Sequence, residues 1–350
     1  MAAVRPGSRG WLAMAAAALV SAAGPSWAQP APAPAGPPVV EGPTAPAPAA
    51  PTAPTAAAPA PTAEADQGWT AGKLWSLGGL AGLYTGVGVW AYFAWYHGKP
   101  RNAGWEWNGD GLFGQKTYAG GSDKLGHFWS NHVITRATTE LLMTGGWRQV
   151  PASVIAGSLC AFYFGLVEAK DAYYYQFSVG DFVADVGGAA LGVLLINRPD
   201  IDRLIDFRVD YWPTHEYRDG FMDGDVNFVE DYSGQTYLLA LHVSALPGVT
   251  DSRWTRWARY VDVVGGFQSV NYKPEPDDPD AIPSQHLFFG AALNLQAVLE
   301  DLYGEPPERG RARTSHRIGH YVLEFVSPPY TTLRMAEADR SLTDGRPDRQ

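Results

Sequence analysis

No charged residue occurs between Leu74 and Tyr96, and an uncharged apolar run of about twenty residues is what a helix needs to cross a bilayer core. Within the run Gly82 and Gly86 form a small-xxx-small pair, while Trp90, Trp95 and Tyr96 gather at one end as an interfacial aromatic belt would. Glycine at this density weakens a helix in water and is tolerated where helices pack closely in lipid. The run therefore predicts a spanning helix, and the segments C-terminal to it are read as its packing partners.

After a polar, glycine-rich loop from Lys99 to Gly121, a second helix is expected to start at Ser122. A third apolar run covers Val150 to Val167, with Pro151 at its start where a missing N–H does no harm. A fourth covers about Val179 to Ile196 and contains a second small-xxx-small pair, Gly188 and Gly192. Ser178, with Asp181 three residues on, reads as a capping box opening that fourth helix. The expected fold is mainly α: a four-helix membrane-associated bundle over residues 67–200.

The flanks differ in kind. Arg5 and Arg9, an apolar stretch from Trp11 to Ala23 and the small-residue ending Ser26-Trp27-Ala28 have the three parts of a secretory signal peptide, residues 1–28. With no cysteine near that site, a lipid-anchored form is not expected. Residues 29–66 are almost all Ala, Pro and Thr with no periodicity, the composition of a disordered, extended linker. Beyond Pro199 the pattern turns to charged loops and short alternating runs, Tyr237 to Ala245, Ala258 to Val270 and His286 to Val298, which predict a small β-rich C-terminal unit over 201–335. Gly265-Gly266 reads as a bulge or bend in the second run. Gly319 to Phe325 fits a short helix or a last strand, and Leu333 onward reads as frayed, leading into a disordered tail at 336–350. Three or four strands are too few for a transmembrane barrel, which needs at least about eight.

The formal net charge of −10 excludes nucleic acid as a partner, since phosphate binding needs a basic surface. Membrane lipid and other envelope proteins are the expected partners. The lone cysteine, Cys160, allows neither a disulfide nor a cysteine-only metal site and reads as a core residue.

The residues that could carry chemistry are Asp123, Lys124 and His127 in the second helix, Glu168 and Asp171 after the third run, and Asp181 and Asp185 in the fourth. Asp123 and His127 are spaced i,i+4, as are Asp181 and Asp185, and Glu168 and Asp171 are i,i+3, so each pair shares a helix face. Ionisable groups on apolar helices of this length turn toward one another or toward a wet cavity. Three readings are open. The acids are solvated first-turn or loop residues; or they and His127, paired with Asp123, form a buried network that fixes helix packing; or they form a catalytic or metal site, with His127, Glu168, Asp171 and Asp181 as the ligands of a divalent ion. His132 stands five residues from His127 and off its face. No His-Glu-x-x-His, Gly-x-Ser-x-Gly or phosphate-loop motif is present, and no cofactor is expected beyond such an ion.

The ordered string Ser122-Asp123-Lys124-Leu125-Gly126-His127-Phe128, then Gly165, Glu168 and Asp171, then Phe177-Ser178 leading to Asp181 and Gly188, resembles the YfiM-like family of predicted periplasmic lipoproteins. It is also distantly similar to the VanZ-like membrane proteins. The resemblance spans roughly residues 70–200, and the segment Asp231 to Tyr237 is similar to longer members of the same group. Two departures stand out: the lipoprotein cysteine is missing, and Asp185 occupies a position where Asn is expected. The resemblance implies a location and a residue set, and no reaction. The expected function is that of a non-enzymatic structural, binding or assembly factor of the periplasm or membrane. The alternative is a hydrolase or transferase on lipid-linked or cell-wall substrates, with His127 as general base oriented by Asp123 and with Glu168 and Asp181 as acids or metal ligands.

Overall fold

The computed structural model describes residues 68–109, 111–223, 228–249, 252–278, 280–303 and 319–342. The expected signal peptide and Ala/Pro linker lie outside these residues, as does the chain from residue 343 onward. Helix α1 (Ala71–Ala91) starts at Thr70, whose hydroxyl accepts a hydrogen bond from the Lys73 amide at 3.2 Å, and it runs on into a π-helical turn, Tyr92–Tyr96. A two-residue strand β1 (Trp107–Asn108) lies in the loop before α2 (Ser122–Thr144). Helix α3 is Gln149–Tyr174, β2 is Phe177–Ser178, and α4 is Val179–Asn197. Half of the expected capping box forms at α4: the Asp181 amide donates to Ser178 Oγ at 3.2 Å, while the Ser178 amide donates to Glu168 Oε2 at 3.4 Å and not back to Asp181. Glu168 and Asp171, expected in a loop after the third run, lie instead within the last turns of α3, which extends to Tyr174.

Glycine decides how closely these helices approach. A Cβ on Gly188 would stand 2.0 Å from the Phe128 carbonyl oxygen, and one on Gly192 would be 3.0 Å from Thr135 Cβ. Helices α2 and α4 therefore meet backbone to backbone along the second small-xxx-small pair. The first pair behaves differently: a Cβ on Gly82 or Gly86 would meet nothing within 4 Å. Leu80 of α1, Leu142 of α2, and Ala152 and Ala156 of α3 form a buried apolar cluster.

A short helix α5 (Pro199–Asp202) leads into the second half of the chain. Its strands are β3 (Ile205–Tyr211), β4 (Gln235–His242), β5 (Val261–Val270), β6 (Ser284–Leu293), β7 (Val326–Ser327) and β8 (Thr332–Ser341). Helices α6 (His215–Asp223), α7 (Leu295–Tyr303) and α8 (319–325) lie between them. The strands form one six-stranded sheet in the order β7-β3-β4-β5-β6-β8, larger than the three or four strands expected. The segment from Leu333, expected to be frayed, is the strand β8 paired along β6 from Ala292↔Thr332 to Ser284↔Ser341. The bulge expected at Gly265-Gly266 is also absent, since β5 keeps register with both neighbours through those residues. Gly266 instead makes room for a ring: a Cβ there would stand 2.1 Å from Phe288 Cζ. The register shift falls at Phe289/Gly290, opposite β8.

The two outermost strands, β7 and β8, are consecutive in the chain and joined by residues 328–331. A flat sheet of this size would set its outer strands about 24 Å apart, whereas a connector of that length reaches roughly 18 Å fully extended. The sheet therefore curls. Its concave face holds Leu238, Ala240, Val264 and Ala292, all buried, and its convex face carries Phe207, which packs edge-on against Phe128 of α2 with ring centroids 5.0 Å apart.

Candidate functional site

The polar residues converge where the N-terminal ends of α2 and α4 meet the C-terminal end of α3. His127 Nδ1 lies 2.9 Å from Asp185 Oδ1, and Asn131 Nδ2 donates to the same oxygen at 2.6 Å. One helical turn separates His127 from Asn131, so both reach the α4 carboxylate from one face of α2. Cys160 Sγ of α3 stands 2.9 Å from Asn131 Oδ1, which carries the contact chain into a third helix. Glu168 Oε2 accepts from the Ser178 amide at 3.4 Å. The ligand-capable atoms of His127, Glu168 and Asp185 all lie within 4.8 Å of one another.

A second set lies beside the first. Lys124, 1 % exposed, reaches Asp123 Oδ2 at 2.9 Å and Asp181 Oδ1 at 3.2 Å. Asp171 accepts from Tyr96 Oη at 2.6 Å, and Lys170 Nζ sits 3.7 Å from the centroid of the Tyr96 ring. The structure thus gathers all seven sequence candidates at one end of the helices but pairs them differently from the i,i+4 logic. His127 bonds to Asp185 and not to Asp123. Asp123 sits in the first turn of α2, where Lys124 turns inward and takes it as a partner. Of the four expected metal ligands, His127 and Glu168 cluster together, but Asp185 stands in the place expected for Asp171 and Asp181, which are held by Tyr96 and Lys124.

The electrostatics derive from burial and neighbours. Burial works against a charged His127, yet the carboxylates of Asp185 and Asp181 outweigh it and hold the imidazole pKa well above its ordinary value. Burial, with Asp181 adding to it, pushes Asp123 up to about 7, although Lys124 pulls the other way. Asp185 is fully buried and its Oδ2 has no hydrogen-bond partner. His127, with a side chain 26 % exposed, is the member of the cluster that reaches solvent. The loop before α2 closes over this end: β1 pairs in parallel with β2 at Trp107↔Phe177 and Asn108↔Ser178, and a Cβ on Gly180 would stand 2.9 Å from both the Gly111 carbonyl oxygen and Lys124 Cε.

A further charged cluster inside the curl of the sheet was not singled out by the sequence. Arg208 Nη2 lies 2.7 Å from Asp206 Oδ2 and 3.0 Å from Asp262 Oδ2, while His242 bridges the same two acids through Nε2 at 3.1 Å and Nδ1 at 2.8 Å. Asn294 Nδ2 donates to Asp262 Oδ1 at 3.1 Å. Burial opposes charge on His242, but its two carboxylate partners prevail and raise it to about 9. The one sequence signal was charged residues at alternate positions of a strand, Asp206 and Arg208, which place both side chains on one face. A third group, His286, Glu337 and Asp339, lies at the β6–β8 edge, where both acids are more open to solvent.

Residues 109–197, from the loop before α2 to the end of α4, match the family described as "Predicted periplasmic lipoprotein (DUF2279)". No curated protein and no solved structure matches the chain. The family match covers the whole polar cluster and places the chain as an exported protein at the periplasmic face of a membrane.

Proposed function

We propose that this exported protein is a non-enzymatic envelope factor, held in or on a membrane by α1, α3 and α4, which displays the curled sheet for binding or assembly of other envelope components. The observation that carries this reading is the distribution of apolar side chains on α3 and α4. On α3, Val150, Val154, Phe162 and Leu166 form an exposed stripe at multiples of four residues, and on α4, Val179, Val183, Val186 and Leu194 are exposed as well. Both helices are long and apolar enough to cross a membrane, and only 28 % and 33 % of their most apolar windows are buried. The core helix of a water-soluble domain hides most of such a surface. Leu239, Leu287, Phe289 and Leu293 on the convex face of the sheet extend the exposed apolar surface beyond the helices. This reading agrees with the resemblance of the 70–200 region to the YfiM-like and, more distantly, the VanZ-like proteins.

The test is fractionation of the intact protein from an envelope preparation. It is expected to stay with the membrane through a carbonate wash and to need detergent for release. Release by carbonate alone would sink the reading, since it would mean that the apolar stripes are covered by something other than lipid.

One observation favours a second reading, a hydrolase or transferase on lipid-linked or cell-wall substrates. His127 is bonded to a buried carboxylate and reaches solvent, and because its neighbours favour the protonated imidazole it is placed to give a proton, as a general acid, in place of the general base expected from the sequence. Among the described residues no serine or cysteine bonds to its imidazole; Ser130 Oγ reaches only the His127 backbone carbonyl.

A further inference from the structure

The cluster at the ends of α2, α3 and α4 sets a buried, unpartnered carboxylate oxygen beside a second buried carboxylate and an imidazole. Buried carboxylate oxygens are normally bonded, because an unpaired buried acceptor loses its hydration without replacement. Asp185 keeps Oδ2 without a hydrogen-bond partner although the residue is fully buried. Glu168, 2 % exposed, has one long contact, 3.4 Å, to an amide. Two carboxylates of this kind beside one imidazole concentrate negative charge where few hydrogen-bond donors offset it. A bound cation would do so.

We propose that His127, Glu168 and Asp185 bind a divalent transition-metal ion of the Zn2+ class. Their ligand-capable atoms all lie within 4.8 Å of one another, a spread that small side-chain rotations bring to the roughly 2.0–2.2 Å metal–ligand distances of a tetrahedral site. The imidazole discriminates between ions: one nitrogen with two carboxylates suits Zn2+ and its neighbours, whereas Mg2+ and Ca2+ prefer oxygen throughout. Each ligand comes from a different helix, so the ion would tie α2, α3 and α4 together at the end where they converge. Asn131, bonded to Asp185 Oδ1, and Cys160 behind it would orient the carboxylate and leave Oδ2 for the metal. With three protein ligands the fourth position stays open, and His127 is the ligand that faces solvent. The exposed group at His286, Glu337 and Asp339 lacks the buried, unpartnered oxygen and is not assigned a metal.

The proposal stands apart from membrane attachment, and the test keeps the two separate. The full chain, purified in detergent and stripped with a chelator, is titrated with Zn2+ and, in parallel, with Co2+, whose visible absorption reports tetrahedral coordination. One ion per chain and an intense Co2+ band that Zn2+ abolishes are expected. Asp185→Asn and His127→Ala should each weaken binding by about 100-fold or more, beyond the 10–100-fold seen for partners outside the ligand shell. His286→Ala should leave it unchanged. If the site variants fail to accumulate, the wild-type Co2+ spectrum with Zn2+ competition decides alone. Absence of both stoichiometric Zn2+ and the Co2+ band, an unchanged affinity in Asp185→Asn, loss in His286→Ala, or tighter binding of Mg2+ than Zn2+ would each overturn the assignment.

Discussion

The His127 imidazole and the Asp185 carboxylate are bonded across the α2–α4 interface at 2.9 Å, although 58 positions separate them in the chain. Asp185 has no exposure to water, and the same oxygen also accepts from the Asn131 amide. Removing the imidazole therefore leaves a buried carboxylate with a single neutral donor.

His127→Ala is expected to destabilise the protein by about 3 kcal/mol, the lower end for a broken buried pair, because His127 itself touches solvent. Asp123→Ala tests the rival pairing. It removes one acid from Lys124, which keeps Asp181 at 3.2 Å, so it should cost less than His127→Ala. Chemical denaturation of both variants in detergent gives the order, and a larger loss for Asp123→Ala would contradict the observed pairing.

The two small-xxx-small pairs should respond in opposite directions to one methyl group. Gly188→Ala would push a carbon onto the Phe128 carbonyl and should cost at least about 1–3 kcal/mol, the usual range for overpacking. Gly82→Ala enters open space and should stabilise α1 by up to about 1 kcal/mol through helix propensity alone. Thermal melts of the two variants decide. A loss at Gly82 would reveal a partner seated on that face of α1.

The sheet cluster gives a pH dependence whose sign is fixed by His242. Its folded-state pKa is raised to about 9 from an ordinary 6.5, so the stabilisation from its two carboxylates is fully present below about pH 6.5. It is lost as pH rises through about 9. The raised value corresponds to about 3 kcal/mol. Urea unfolding measured across that window should show the wild type losing stability, with a flatter profile for His242→Gln; parallel profiles would remove His242 as the cause.

Local signals are legible in the sequence where the interaction itself is local. Ser178 caps α4 through Asp181, three residues away, and Gly188 and Gly192 lie on the close-packed face that their spacing suggests. What the sequence hid depends on tertiary neighbours. Spacing places Asp123 and His127 on one face of α2 but cannot tell that Lys124 turns inward to claim Asp123. Strand β8 carries almost no periodic burial, being exposed along nearly its whole length, so its pairing with β6 leaves no alternation to read. The Asp206, Arg208, His242 and Asp262 cluster was equally hidden, because it assembles only when three strands curl around it.

The contact at Gly188 also bears on how anything could reach the cluster. His127 immediately precedes Phe128, whose carbonyl abuts Gly188, and Asp185 lies one turn before Gly188 on α4. With backbone against backbone at that point, the close approach of α2 and α4 fixes the spacing at which His127 faces Asp185. The loop from Gly111 to Gly121 is fastened to the sheet through Ser269, Tyr272 and Gln285, so the exposed edge of His127 is the side on which the cluster meets solvent.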